Sequence, residues 1–231
     1  MAGPVSTWQI ARLVAAKDLR VEWRSRVVTN QVLPFAALVM VMFAFALDND
    51  QALTRVAPGL VWLAAMFSLL VLVQRAFAVE TADGALDALK VAGVRSSGIF
   101  LGKALALAAQ LAVLEAVLLV AAILLYRTEV PAGGVGVLLA TYVAATAGLA
   151  FVGTLYGGLA AGARGRETLL PLLLLPVVAP VLIGATRATE AALGTNDAMP
   201  SEGWPWFGLL ALFAAVFGAG GALAFGSLID D

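Results

Sequence analysis

Six apolar runs, each about as long as a bilayer is thick, leave this chain few folds to choose from. They cover 28–47, 56–77, 101–126, 135–161, 169–186 and 206–228. A membrane-crossing helix needs about 20 predominantly apolar residues. In hydrocarbon such a segment must satisfy its own backbone polar groups, which an α-helix does. The reading is an all-α integral membrane protein of six transmembrane helices, with residues 1–231 forming a single transmembrane domain. Composition supports it: 62% of residues are hydrophobic and 13% charged, against roughly 45–50% and about 25% in soluble domains.

The cations are distributed unevenly between the two sides. One side holds Arg12, Lys17, Arg20, Arg24, Arg26, Arg75, Lys90, Arg95, Lys103, Arg164 and Arg166, and the other only Arg55, Arg127 and Arg187. Short loops rich in Lys and Arg stay cytoplasmic. The bias and the even span count both predict cytoplasmic termini. No cleavable leader is expected, because the first apolar run follows a charged segment.

That segment, 6–26, has the pattern of an amphipathic helix. Trp8, Ala11, Ala15, Leu19 and Trp23 recur at i+3/i+4 among Arg, Lys, Asp and Glu. A basic helix with two tryptophans ahead of a span predicts an interfacial helix on an anionic leaflet.

Between the second and third runs lies a polar loop, 80–92. Gly84 to Val91 has the pattern of a short amphipathic helix: Asp83 as N-cap, Glu80 near the positive end of its dipole, and Leu86 and Leu89 on one face. Asp87 and Lys90 point elsewhere. A helix this short between two spans needs a partner to hold it, and a soluble protein on the cytoplasmic side is the expected one.

Several features carry or exclude chemistry. Glu115 lies near the middle of the third run with Gln110 a little over a turn earlier. An ionisable group at that depth is costly, and it serves either as a proton or substrate contact or as a carboxyl hydrogen-bonded between helices. Arg55, Pro58, Gly59 and Trp62 form an Arg-x-x-Pro-Gly-x-x-Trp motif opening the second run, with Pro58 suited to a first helical turn. Pro171, Pro176 and Pro180 interrupt the fifth run and predict kinks or a break. Gly153/Gly157 and Gly158/Gly162 are small-residue pairs, read as close packing within the subunit in preference to a dimer seam.

Cys and His are both absent, which removes thiolate chemistry, the commonest metal ligand and the default general base. No catalytic set and no metal site are expected. Gly98-Ile-Phe-Leu-Gly102-Lys103-Ala104 fails the phosphate-loop spacing and lacks its Ser or Thr, so ATP chemistry must come from another chain. The cations follow one leaflet, so nucleic-acid binding is not expected.

Three stretches together resemble the haem exporter B (CcmB) family. They are Arg55-Val-Ala-Pro-Gly-Leu-Val-Trp-Leu-Ala-Ala, the Glu80-x-x-Asp-Gly-Ala-Leu-Asp-Ala-Leu loop, and Leu175-Pro-Val-Val-Ala-Pro-Val-Leu-Ile. The resemblance implies an ABC-2-type permease subunit of cytochrome c maturation in a bacterial inner membrane. It implies an ATPase partner (CcmA-like), CcmC-like and CcmD-like membrane subunits, and indirectly a periplasmic haem chaperone (CcmE-like). The 80–92 segment would then be the coupling helix that contacts the ATPase. Haem enters as a handled ligand, with no tightly bound cofactor; Met40, Met42 and Met66 are candidate weak axial donors. The alternatives from the residues themselves are an ion- or proton-coupled secondary transporter using Glu115 and, least supported, a membrane enzyme.

Overall fold

The computed structural model describes residues 6–47, 49–82, 93–161 and 166–230; for 79–82, 166–167 and 228–230 the backbone alone is described. Among the described residues seven α-helices run α1 Thr7–Ser25, α2 Leu33–Ala46, α3 Asp50–Ala82, α4 Ser96–Tyr126, α5 Val135–Ala161, α6 Arg166–Leu193 and α7 Gly203–Asp230. A π-helical turn, Val28–Val32, leads into α2. Among the described residues six helical segments are long and apolar enough to cross a membrane, and the chain is a multi-pass helical membrane protein.

Local chemistry sets where the helices start. Ser6 caps α1 in a capping box: its hydroxyl accepts from the Gln9 amide at 3.2 Å, and the Gln9 side chain accepts from the Ser6 amide at 3.0 Å. Asn49 does the same for α3, its Oδ1 accepting from the Gln51 and Ala52 amides at 2.8 and 3.3 Å. This cap corrects the sequence-based boundary. The second span does not open at Arg55-x-x-Pro58; helix α3 is already two turns old there, and Pro58 lies inside it. The Thr54 hydroxyl donates to the Asp50 carbonyl at 2.9 Å and lies 3.2 Å from that of Tyr126, tying this first stretch to α4.

The fifth span also outruns its expected end. α6 continues to Leu193 because Ala188, Thr189, Ala191 and Ala192 are buried there. The neighbouring helices supply the packing that keeps the helix going past the apolar run. Of the kinks or break expected at the prolines, the break is absent: α6 is continuous through Pro171, Pro176 and Pro180. Leu170, Leu174, Val178, Val181 and Ala185 form its buried stripe, while Pro176 and Pro180 lie on the exposed side.

The core is made by α3, α4 and α5, covered by α6 and α7. Glycines let the helices approach. A Cβ on Gly153 would meet Val73 and Leu69 at 2.9 and 3.0 Å, one on Gly157 would meet Phe77 at 2.5 Å, and one on Gly158 would meet Phe225 at 2.6 Å. The small-residue pairs thus serve packing within the chain, as their sequence reading favoured; Gly162 lies outside the described residues. Phe100 stacks against Phe151 and Phe225 with centroids 6.0 and 5.5 Å apart, and fills the space left by Gly221.

Helices α3 and α4, of 33 and 31 residues, are about 50 and 46 Å long at 1.5 Å per residue. A bilayer's hydrocarbon is about 30 Å thick. Arg75 and Lys103 lie with the charges of α1 at one end, while the first turns of α3, with Gln51 and Arg55, extend into the polar mouth at the other.

Candidate functional site

Three polar places stand out along the bundle: its interior, its basic end and the opposite mouth. In the interior, Trp62 of α3 is fully buried, and its indole donates to the Thr189 hydroxyl of α6 at 2.9 Å. The Trp62 ring packs on Tyr142 of α5, centroids 5.0 Å apart. One turn along α5, the Thr146 hydroxyl meets both the Tyr142 carbonyl, at 2.6 Å, and a carboxyl oxygen of Glu115 on α4. A hydroxyl brings one proton to those two acceptors. Glu115 Oε1 and the Tyr142 hydroxyl are buried and have no partner among the described residues. This seam joins α3, α4, α5 and α6 through polar groups where hydrocarbon surrounds the bundle, which is where an unpaired group costs most.

At the basic end, α1 lies along α4 and runs the same way. A Cβ on Gly98 would meet Ile10 at 2.7 Å, and one on Gly102 would meet Val14 at 2.6 Å and the Ala11 carbonyl at 2.7 Å. Lys103, 2% exposed, pairs with Asp18 at 3.3 Å and sits over the Phe77 ring, 4.6 Å from its centroid. The Arg95 guanidinium donates to the Thr7 hydroxyl at 3.2 Å. The Gly-x-x-x-Gly-Lys run is therefore a helix-packing device. The apolar stripe of α1 divides here into a part packed on the bundle and a part left at the surface. Ala11, Val14 and Ala15 are buried, whereas Trp8 and Trp23 are exposed; the close approach at Gly98 and Gly102 seats Ile10, Ala11 and Val14 of α1 against α4. A cavity of about 60 Å³ lies beside this clasp, lined by Asp18, Glu22, Arg75, Lys103 and Gln110 among others.

The opposite mouth is a polar cavity of about 340 Å³ lined by Gln51, Arg55, Arg127, Glu129, Asn196 and Asp197 among others. Arg127, Asn196 and Asp197 have left-handed backbone (φ 51°, 58° and 61°), an uncommon conformation for residues with a Cβ.

The sequence-predicted residues therefore separate. Arg55 belongs to the mouth, Pro58 and Trp62 to the core, and Gly59 faces Thr186 with its missing Cβ 3.7 Å from the methyl group. Gln110 and Glu115 do not meet; Gln110 opens on the α1 side and Glu115 on α5. Met40 and Met66 are buried in the apolar core while Met42 is exposed. Of the loop residues, Glu80 ends up on the last turn of α3, whereas Asp83, Gly84, Leu86, Asp87, Leu89 and Lys90 lie outside the described residues. The sequence reading missed Tyr142, Thr146 and Thr189. The Tyr142/Thr146 spacing of four, on one face of an otherwise apolar helix, was the available signal.

Fold and seam define the class: a six-span helical membrane protein with a buried polar seam and an N-terminal helix clasped to its fourth helix. The family model described as CcmB protein matches residues 9–226, and the chain belongs to that family. Similar proteins include heme exporter protein B of Pseudomonas aeruginosa, 29% identical over 202 residues (83% of this chain, 84% of that protein). Those of Rhodobacter capsulatus and Haemophilus influenzae are 31% and 30% identical; they cover 82% and 88% of this chain and 87% and 88% of their own lengths.

Proposed function

We propose that this chain is the non-catalytic permease subunit of an ATP-driven complex that handles haem for cytochrome c maturation in the bacterial inner membrane. The family match over residues 9–226 carries the reading, and the relatives' name, heme exporter protein B, supplies the haem. ATP hydrolysis belongs to a CcmA-like partner; CcmC-like and CcmD-like subunits complete the membrane part, and a CcmE-like chaperone receives or releases haem outside. Both termini and the loop 80–92 face the cytoplasm, by the Lys/Arg bias. Support for a mechanical role comes from α3 and α4. They flank the loop, are longer than the bilayer's hydrocarbon is thick, and meet in the polar seam and the core.

In this reading Leu86 and Leu89 fill a groove on the ATPase. Glu80, Asp83, Asp87 and Lys90 set its register, and Gly84 opens the short helix. Closure of the ATPase pair pulls the loop and tilts α3 and α4, and the change reaches Trp62, Tyr142 and Glu115 through the seam. Glu115 lines neither the cavity beside the clasp nor the polar mouth, so the proton-coupled alternative gains no support from them. The test is copurification in mild detergent. Wild type is expected to bring down a subunit with a Walker motif, and Leu86→Asp with Leu89→Asp to release or uncouple it. A double variant that keeps a fully coupled ATPase overturns the docking.

A further inference from the structure

A groove of about 540 Å³ opens between the end of α1, the π-helical turn and α4. We propose that it holds one anionic phospholipid of the leaflet at the basic end. This rests on the membrane placement of the bundle and not on any haem chemistry.

The groove changes character with depth. The first span begins at Val28, and Val28 and Val113 form apolar walls. Arg26 stands two residues before the span, at headgroup level, and Trp23 beside it is 82% exposed. Indole rings favour that boundary. Thr29 and Gln110, also in the lining, offer hydroxyl and amide donors at the height of a lipid's ester oxygens. A cation above and an apolar trough below complement a phosphate with its acyl chain.

The charge argument selects an anionic lipid. Arg26 is held in left-handed backbone (φ 52°), its amide bonded to the Glu22 carbonyl at 2.7 Å, which fixes where its side chain leaves the chain. It makes no ion pair among the described residues. The nearby Glu22 carboxylate is turned to the backbone, accepting from the Val28 amide at 2.6 Å. Arg20 and Arg24 are exposed on the same helix and add to the positive field at the groove. Basic residues at an anionic surface each contribute about 1 kcal/mol.

The experiment uses the full chain in mild detergent and counts lipids retained in native mass spectrometry after titration with phosphatidylglycerol or phosphatidylcholine. One phosphatidylglycerol is expected to survive where phosphatidylcholine is lost. Arg26→Gln should weaken its retention about fivefold, the factor that roughly 1 kcal/mol corresponds to. Val113→Trp fills the trough without changing charge. It should displace the lipid while leaving the thermal midpoint near wild type, since Val113 is 58% exposed. Equal retention of both lipids overturns the proposal, as does unchanged phosphatidylglycerol retention in both variants. A photo-crosslinker at 113 that captures a polypeptide in the native membrane, instead of lipid, also overturns it and makes the groove a protein seat.

Discussion

Lys103 and Glu115 are both buried charged-type residues on α4, and the protein treats them differently. Lys103, at the basic end, has the Asp18 carboxylate 3.3 Å away and the face of Phe77 beneath it. Glu115, twelve residues deeper, has a threonine hydroxyl and one carboxyl oxygen without a partner among the described residues. The basic end solves burial with a counter-charge brought in by a separate helix. The interior solves it with neutral groups on neighbouring spans. A counter-charge is available only where α1 can reach, so the ion pair also reports that α1 is seated. The seam reports instead on how α4 and α5 sit against each other.

The comparison breaks most readily at Asp18. Asp18→Ala removes the counter-charge from a buried lysine, and loss of one partner of a buried pair costs about 3–5 kcal/mol. A value near the lower end, about 3 kcal/mol, is expected, because the Phe77 ring still faces the ammonium. Adding Lys103→Met should recover much of the loss, since an apolar replacement of a buried pair is often neutral. Thermal unfolding of the single and double variants in one detergent checks this. Equal midpoints for wild type and Asp18→Ala would show that the pair does not hold α1.

How much of this was readable beforehand follows the same division. The six spans were legible because length and hydropathy act locally on each segment. The clasp was half legible: α1 showed its helical period, but which face it buried depended on Gly98 and Gly102 across the contact, some 90 residues away. Of the apolar stripe, Ala11 and Ala15 are buried and the tryptophans are not, while Ile10 and Val14, outside that stripe, pack against Gly98 and Gly102. Glu115 was conspicuous by its charge. Tyr142, Thr146 and Thr189 were not, because threonine and tyrosine are unremarkable until a neighbouring helix gives them a partner. The prolines were read by a local rule that predicts kinks or a break, and of these the break is absent: the helix, packed along its length, is continuous through all three.

The interior half of the comparison is sharpened by Thr146→Val. The change keeps the side chain's size and removes the hydroxyl between Glu115 and the Tyr142 carbonyl. Interhelical hydrogen bonds in membranes are worth about 0.6 kcal/mol on average and up to about 1.7. A loss in that range is expected, smaller than at Asp18, and measurable as a lowered unfolding midpoint. Glu115→Gln should cost less than Thr146→Val, because an amide still reaches the hydroxyl. A loss at Thr146→Val as large as at Asp18→Ala would mean that the seam bears charge as the clasp does.

The mouth supplies the smallest effect and a baseline for the other two. Arg127 and Asp50 form an ion pair at 3.5 Å with both side chains 82% exposed. Water screens such a pair, and exposed pairs contribute about 0–1 kcal/mol. Asp50→Ala should therefore move the midpoint by less than about 0.5 kcal/mol, even though Asp50 begins α3 and its charge favours the helix N-terminus by a few tenths. Added salt should erase what difference there is in this variant and leave the Asp18→Ala deficit standing, because a pair with one partner 2% exposed is poorly screened. If salt removes both deficits alike, burial is not what separates the clasp from the mouth.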